Sequence, residues 1–292
     1  MMERPVTALV RERFSCRTYL PKPLEEEVRE KLRALLEGFE PGPFSGRPRL
    51  ALMAAAADDA RALRGLGTYG TIKDPQAFIV GITGEGERDL EDFGFLMERA
   101  VLEATDLGLG TCWLGGFFRK SRFAKKAGLA PRETIPAVVS VGYGGDAARS
   151  GGLFGRMSRR SSRLPAEQLF YLGTFDRPLP AGDAGPYAAA LEAVRWAPSA
   201  SNKQPWRIVR HGGRWHFYLR RTRGYGTGIQ SRLLGQADLQ RVDMGIAMCH
   251  FELAAREAGA SGTWEINDPG IFLPDGLTSY NATWHEDKTS AG

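Results

Sequence analysis

Apolar residues recur at helical spacing over residues 92–118, which read DFGFLMERAVLEATDLGLGTCWLGGFF. The residues of this apolar stripe are Phe93, Leu96, Met97, Ala100, Val101 and Ala104. Their spacing predicts an amphipathic α-helix with one wide buried face. Gly108 and Gly110 predict where this helix ends.

The residues after this helix favour a strand over 111–113. Gly115 and Gly116 follow, and because they lack Cβ atoms their backbone can approach a flat ligand closely. The apolar run at 138–141 also predicts a strand, an inner one. The segment at 48–56 and the apolar run at 77–82 predict either a pair of strands or one strand and one buried segment. Further elements are predicted as helices over 25–38 and 187–196 and as a strand after 206. The chain is therefore predicted to be an α+β protein.

A fainter copy of the first pattern returns 151 residues later, over residues 243–264. Seven of these 22 ungapped positions are identical, against roughly one or two expected from average composition. A second pair of segments, at an offset of 157, aligns Pro41 and Pro48 with Pro198 and Pro205. We interpret these matches as an internal repeat. The alternative is two unrelated helices that share a common pattern.

The repeat predicts two related halves, residues 1–170 and 171–292, each hiding its helix stripe against the other. With 292 residues and 42% hydrophobic content, the chain can bury a large core. We expect no signal peptide and no membrane span, and a cytoplasmic location. The three cysteines, Cys16, Cys112 and Cys249, are too far apart to suggest a disulfide framework, and the four histidines lack the spacing of a metal site.

The net charge of +5 is spread over both halves and fits a small anionic ligand as well as a nucleic acid. In the motif RERFSCRTYLPKPL, alternate residues of an extended chain point the same way. Arg13, Ser15 and Arg17 would then converge on one anion, with two guanidinium groups and a hydroxyl donor suited to a phosphate. The alternative is an ordinary solvated basic segment.

Two further basic segments carry candidate ligand contacts. Lys73, in the loop GTYGTIKDP, is placed to meet either a ligand carbonyl or solvent. The Gly-, Ser- and Arg-rich connector after residue 144 contains Arg156, Arg159, Arg160 and Arg163. These arginines form either a solvated charge run or part of the same anion site, and Arg163, beside Leu164 and Pro165, is the strongest candidate for a fixed position.

A polar loop precedes the first strand of the second half. It consists of Pro198, Ser199, Ala200, Ser201 and Asn202. The Asn202 amide offers both a donor and an acceptor, the combination needed to recognise an imide-like ring edge. In the alternative, Ser199 and Asn202 only cap and turn the chain.

Together, the segments RFSCRTY, LGLGTCWLGGF, IPAVVSVGYG, SSRLP and APSASNKQPW resemble the motifs of the FMN-dependent nitroreductase family. The APSxxNxQPW and GLGTCWLGG segments are the more specific ones. The resemblance implies an α/β/α sandwich and an FMN bound between two subunits. In that family, one subunit supplies the phosphate-binding arginines and the other supplies the PSxxN loop.

The sequence departs from that pattern in a way that suggests a division of labour. The first half carries residues 41–48 where the PSxxN loop belongs, without the asparagine or tryptophan, and the second half lacks the Arg-Ser-Arg motif. We therefore predict an intrachain pseudo-dimer with one FMN per chain. The implied contacts are Arg13, Ser15, Arg17 and Arg163 to the phosphate, Gly115 and Gly116 near flavin N5, Pro198, Ser199, Ala200 and Asn202 along the ring, and Lys73 near its N1 side.

The function implied by the resemblance is reduction of a nitroaromatic, quinone or similar small-molecule acceptor, with NADH or NADPH passing hydride to flavin N5. No dedicated acid or base is expected, and the chain is expected to be a monomer, with further dimerisation open. One alternative is a non-catalytic flavin-binding or storage protein. The other is a nucleic-acid or acidic-partner binder that uses residues 149–163 and the cluster Arg220, Arg221 and Arg223.

Overall fold

Two β-sheets and six α-helices make up the described part of the chain. The structure, a computed structural model, describes residues 2–54, 63, 66, 68, 70–116, 118–144, 163–225 and 237–287. The helices are α1 (Val6–Glu12), α2 (Glu26–Glu37), α3 (Asp89–Asp106), α4 (Lys120–Ala127), α5 (Ala188–Trp196) and α6 (Leu239–Glu257). The predicted helices at 25–38, 92–107 and 187–196 are thus confirmed as α2, α3 and α5.

Each half of the chain builds one sheet. The strands of the first sheet are β1 (Arg49–Ala54), β2 (Ala77–Ile82), β3 (Gly110–Leu114) and β4 (Val138–Gly142), in the order β1-β2-β4-β3. The strands of the second are β5 (Phe170–Leu172), β6 (Trp206–His211), β7 (Arg214–Arg220), β8 (Gly262–Glu265) and β9 (Thr278–Glu286), in the order β5-β6-β7-β9-β8. All neighbours are antiparallel except β5 and β6.

Apart from β5, the two sheets have the same strand order and the same antiparallel pairing. The offset of 157 carries β1 onto β6 residue for residue, and the offset of 151 carries α3 onto α6 within one residue at its start. The segments matched in the sequence therefore form equivalent elements. The predicted boundary between the halves, after residue 170, falls inside β5, whose pairing partner is β6.

The two long helices, α3 and α6, pack directly against each other at a pair of glycines. A Cβ added to Gly94 would overlap the carbonyl oxygen of Val242, and one added to Gly245 would overlap the carbonyl oxygen of Glu91. The offset of 151 relates Gly94 to Gly245 and Glu91 to Val242. The crossing is therefore symmetric, and each half provides one glycine that lets the other helix approach.

The main core lies between the sheets, around α3 and α6. Its largest fully buried side chains include Trp206, Trp215 and Trp284, all from the second half. On its far face, the first sheet packs against α4, where the rings of Phe78 and Phe123 meet edge to face with centroids 5.1 Å apart. The cysteines are free and buried. Among the described helices, none has both the length and the apolar character needed to cross a bilayer.

Candidate functional site

A cavity of about 680 Å³ lies between the two halves, within the size range of small-molecule sites. Every predicted site residue except Lys73 lines it. From the first half and the connector these are Arg13, Ser15, Arg17, Gly115, Gly116 and Arg163, and from the second half they are Pro198, Ser199, Ala200 and Asn202. The N-terminal arginines and the asparagine loop thus open onto one space, although 185 positions separate Arg17 from Asn202.

Backbone pairing holds the N-terminal motif extended along the start of β3. The amide of Cys16 donates to the carbonyl of Thr111 at 2.8 Å, and the carbonyl of Arg17 accepts from the amide of Lys73 at 2.8 Å. Because side chains alternate along an extended chain, Cys16 points into the core while Arg13 and Arg17 reach the cavity. The predicted convergence of these side chains therefore has a simple backbone cause.

The positive charges on this wall are only partly matched. Arg13 Nε lies 3.8 Å from the buried Glu98, whereas no carboxylate of the described residues is within ion-pair distance of Arg17 or Arg163. Burial, followed by the charges of Arg13 and Arg195, lowers the pKa of Arg163 to about 10. Arg163 stays protonated at neutral pH, so these cations repel one another, and an anion between them would relieve the repulsion.

Glu98 links this wall to the second half. One carboxylate oxygen accepts from Trp113 Nε1 at 2.7 Å, and the other lies 2.8 Å from His250 Nε2. His250 Nδ1 lies 2.9 Å from the carbonyl of Ala193, which can only accept, so Nδ1 carries a hydrogen. The hydrogen bond between His250 Nε2 and Glu98 then fixes the carboxyl group that faces Arg13.

The loop before β6 adopts a strained conformation. Ser201, Asn202 and Gln204 have φ values of 50°, 55° and 49°, in the left-handed region that side chains other than glycine rarely occupy. The hydroxyl of Ser199 accepts from the amide of Gln204 at 2.9 Å and closes the loop. The turn-forming role considered for Ser199 is therefore present. Strain of this kind costs about 1–3 kcal/mol per residue and tends to occur at functional sites.

Arg163 fixes this loop as well as carrying charge. Its guanidinium donates to the carbonyls of Trp196 and Ala197, at the end of α5, at 3.0 and 2.7 Å. It also donates to Asn202 Oδ1 at 3.0 Å, which sets the orientation of the Asn202 amide. A residue predicted only for phosphate binding thus also connects the anion wall to the asparagine loop.

Helix α6 supplies a wall that the sequence interpretation missed. Its cavity-lining residues are Leu239, Val242, Asp243 and Ile246. They occupy positions i, i+3, i+4 and i+7, which places them on one helix face. That spacing is visible in the sequence and would have identified them, had the face been considered as a ligand wall instead of core.

The two predicted glycines differ in their surroundings. A Cβ on Gly115 would lie 2.6 Å from Leu239 Cδ1, so the end of the leucine side chain would have to shift. Gly116 is exposed, and no atom would lie within 4 Å of an added Cβ. Close approach to a ligand, the reason for which both were predicted, remains a prediction for both glycines, and Gly115 also packs against Leu239.

Several basic residues lie away from the cavity. Lys73 is exposed and only its backbone meets the N-terminal motif. Arg220 pairs with Asp275 at 3.0 Å and Arg221 with Asp238 at 2.6 Å, so this cluster is largely neutralised. The arginines at 149, 156, 159 and 160 lie outside the described residues.

The sequence profile of the family described as "Putative TM nitroreductase" matches residues 5–255. A solved structure from Thermotoga maritima with the same nitroreductase description is 19% identical, covers 97% of this chain and 94% of its own, and has a TM-score of 0.60. A comparison with curated proteins gave no match.

Shorter structures resemble part of the chain. A nitroreductase family protein from Clostridium difficile is 18% identical and covers 56% of this chain and 94% of its own, with a TM-score of 0.42. An oxidoreductase named as containing FMN is 20% identical and covers 55% and 86%, with a TM-score of 0.42. The full-length likeness shows the fold, the profile match spans most of the sequence, and the chain belongs to the nitroreductase family.

Proposed function

We propose that this chain is an FMN-dependent oxidoreductase that holds one FMN in the cavity between its halves. The observation that carries the proposal is that one cavity joins a partly matched arginine wall, an apolar wall and a polar loop. A flavin mononucleotide has the same three parts, a phosphate dianion, a flat ring and a hydrogen-bonding ring edge. The nitroreductase family to which the chain belongs supports this reading.

The phosphate would be held by Arg13, Ser15, Arg17 and Arg163. Guanidinium groups bind phosphate with charge-assisted and often paired hydrogen bonds, so the repulsion among these arginines becomes useful once an anion is present. Glu98 holds Arg13 without neutralising the remaining charges. These residues therefore fit the group that the proposal places there.

The ring would lie between α6 and the loop over 198–202. Leu239, Val242 and Ile246 offer an apolar surface that excludes water from one side of the site. Asn202, oriented by Arg163, faces the same space with a polar group. Gly116 leaves its backbone accessible on the opposite wall.

Bound FMN would supply reversible hydride and electron transfer, which no amino-acid side chain provides. The chain's own contribution is to bind, to orient and to tune charge, and we see no need for a dedicated acid or base. NADH or NADPH is the proposed donor, and nitroaromatics or quinones are the proposed acceptors. Lys73, which does not line the cavity, remains the proposed positive charge near the N1 side of the ring.

Counting released flavin tests the cofactor directly. We expect the purified chain to release about one FMN per chain. Of the two equivalent spaces, beside α3 and beside α6, the described residues bring the arginine wall and the apolar wall together only beside α6. A ratio near two would contradict the single site, and no FMN binding at all would end the proposal. Light scattering on the same sample would test the predicted monomer.

Turnover separates the enzyme from a flavin-storing protein. We expect steady oxidation of NADH or NADPH in the presence of menadione or nitrofurazone. A protein that binds FMN but gives no turnover with either acceptor would support storage instead. Salt-sensitive DNA binding without bound flavin would support the nucleic-acid alternative.

A further inference from the structure

Two aspartates occupy equivalent positions in the two halves but are satisfied differently. Asp92 in α3 and Asp243 in α6 are related by the offset of 151. Asp92 accepts from the backbone amides of Phe44 and Gly46 at 2.9 and 2.7 Å, one for each oxygen. Asp243 Oδ1 accepts from the amide of Ala200 at 2.9 Å, while Oδ2 has no hydrogen-bond partner among the described residues. Both carboxyl oxygens of Asp92 are therefore hydrogen-bonded, whereas only one oxygen of Asp243 is.

The carboxyl group of Asp243 belongs to the cavity wall. Asp243 is only 2% exposed, yet it is among the residues that line the cavity. A buried polar atom without a partner costs about 1–3 kcal/mol, so it calls for an explanation by function or by a bound molecule. The matched oxygens of Asp92 show that the fold itself does not impose this cost.

Burial is the main influence that favours the neutral form of Asp243. Burial raises its pKa well above the usual value for aspartate, with the Ala200 amide opposing that effect and Asp238 adding to it. Tyr225, from the segment before α6, is neutral at neutral pH like any tyrosine, and burial raises its pKa further. Across the cavity stand Arg13, Arg17 and Arg163, and no described cation is within ion-pair distance of Asp243.

Two charged residues of the packed helix α3 have partners of their own. Glu91 pairs with Arg241 of α6 at 2.9 Å, and Arg99 lies over the ring of Phe39. A carboxylic acid has a single O–H, and because Oδ1 already accepts from Ala200, the hydrogen is best placed on Oδ2. That O–H is then available to whatever fills the cavity.

We propose that Asp243, as a neutral acid, donates a hydrogen bond from Oδ2 to an acceptor atom of the cavity's ligand, either a carbonyl oxygen or an unprotonated ring nitrogen. The inference rests on the proposed FMN site and names a binding residue within it. Both kinds of acceptor atom occur on the flavin ring. The same hydrogen bond would select against ligands that present an N–H at this point.

The test measures the affinity of the flavin-free, full-length chain for FMN by fluorescence quenching, from about pH 5 to about pH 9. For the unsubstituted chain we expect affinity to fall as pH rises through the raised pKa of Asp243. Asp243→Asn keeps an acceptor for Ala200 and a donor toward the cavity, so its affinity should stay within about threefold and lose that pH dependence. Asp243→Ala should bind about tenfold more weakly.

Two controls isolate the effect. A phosphate monoester titrates near pH ~6, but it does so equally in every variant, so differences between variants report on Asp243. Asp92→Asn changes the equivalent aspartate outside the cavity and should leave the pH profile of FMN binding unchanged.

Three results would overturn the inference. Affinity that rises with pH and is lost in Asp243→Asn would mean that a carboxylate accepts from the ligand. Identical FMN binding by all Asp243 variants would mean that the residue only holds the Ala200 loop. An infrared spectrum without a protonated-carboxyl band that disappears in Asp243→Asn would refute the neutral acid without involving FMN. Failure of the unsubstituted chain to bind FMN would instead end the proposed function, and this ligand assignment with it.

Discussion

The two halves of the chain fold alike, but the space beside α6 is an open cavity, whereas the equivalent space beside α3 is filled by side chains and a loop. Beside α6, the helix face carries Leu239, Val242 and Ile246 and borders an open cavity. The equivalent positions beside α3 are Arg88, Glu91 and Phe95. On that side the arginine stacks over the ring of Phe44, and residues 41–48 close over Asp92.

Charge shows the same contrast. On the closed side, the buried Glu91 accepts from Arg241 at 2.9 Å and from Asn281 at 3.0 Å, so its charge is matched within the protein. On the open side, Arg17 and Arg163 have no such carboxylate among the described residues. The comparison teaches that one fold can keep a ligand site or fill it by changing a few side chains on one helix face and one loop.

The symmetric helix crossing gives the largest expected effect. We expect Gly94→Ala and Gly245→Ala each to lower the free energy of unfolding by about 4 kcal/mol or more, because each new methyl group would strike a backbone carbonyl that cannot move aside cheaply. Chemical denaturation measures this. Since the two positions are equivalent, their effects should be similar.

Gly182→Ala is the matched control for this prediction. Nothing lies within 4 Å of a Cβ added at Gly182, so its stability should stay within about 0.5 kcal/mol of the unsubstituted chain. A mild effect at Gly94 beside a severe one at Gly245 would break the proposed symmetry of the crossing.

The closed side should depend on its ion pair for stability. Arg241→Leu leaves Glu91, which is 1% exposed, without its main partner, and we expect a loss of about 3 kcal/mol in the free energy of unfolding. The double variant Glu91→Val/Arg241→Leu carries the side chains found at the equivalent positions, those of Val242 and Leu90. It should recover most of the loss, as measured by denaturation.

A double variant no more stable than Arg241→Leu would show that the closed side cannot take the apolar composition of the open one. FMN binding serves as the control, since neither residue lines the cavity.

The free energy of unfolding should depend on pH through the titration of Asp92. Burial raises the pKa of Asp92 to about 6, against 3.8 for an exposed aspartate, although two backbone amides act to lower it. Because the folded pKa is the higher one, the stabilisation is complete below about pH 4 and is lost as pH rises through about 6, by at most about 3 kcal/mol. The difference in unfolding free energy between the unsubstituted chain and Asp92→Asn, followed across this range, measures the effect. A difference that does not vary with pH would contradict it.

The open side should depend on its arginines for binding instead of stability. We expect Arg17→Ala to weaken FMN binding by about tenfold to a hundredfold, because a charge-assisted hydrogen bond contributes about 1.5–3 kcal/mol. Asn202→Ala should weaken it by up to about tenfold, because a neutral hydrogen bond contributes about 0.5–1.5 kcal/mol. Without FMN, the melting temperature should change little for Arg17→Ala, whose side chain is exposed. It should fall modestly for Asn202→Ala, because a φ of 55° suits asparagine better than alanine and the hydrogen bond from Arg163 is lost. Titration with FMN measures the affinities of the two variants, and thermal denaturation measures their melting temperatures.

Arg220→Ala provides the matched control, an arginine paired with Asp275 far from the cavity wall, and should leave FMN affinity unchanged. Effects of Arg17→Ala and Asn202→Ala on two different ligands would contradict a single shared site.

Local periodicity was sufficient to predict much of this fold. The stripe that predicted α3 depends on neighbours within one helix, and the run at 77–82 forms β2 with those bounds. The N-terminal motif was also readable, because alternation along an extended chain places Arg13 and Arg17 on one side without knowledge of the rest of the fold.

The contributions that depend on distant contacts could not be read in the same way. Asp243 and Asp92 occupy equivalent positions in the sequence repeat. The loops that contact them decide that both oxygens of Asp92 are hydrogen-bonded and only one oxygen of Asp243 is. Arg163 appeared to be a single charged residue, whereas its geometry joins it to the end of α5 and to Asn202. The interpretation of Lys73 relied on its loop position alone, and Lys73 is exposed and is not among the residues that line the cavity.

The distribution of tryptophans provides a built-in optical reporter. Trp206, Trp215 and Trp284 are buried in the second half, while the first half contributes only Trp113, at the cavity. Intrinsic emission therefore follows melting of the C-terminal core, whereas circular dichroism follows both halves. If the glycine crossing between α3 and α6 makes the two halves one cooperative unit, tryptophan emission and circular dichroism will change at the same temperature.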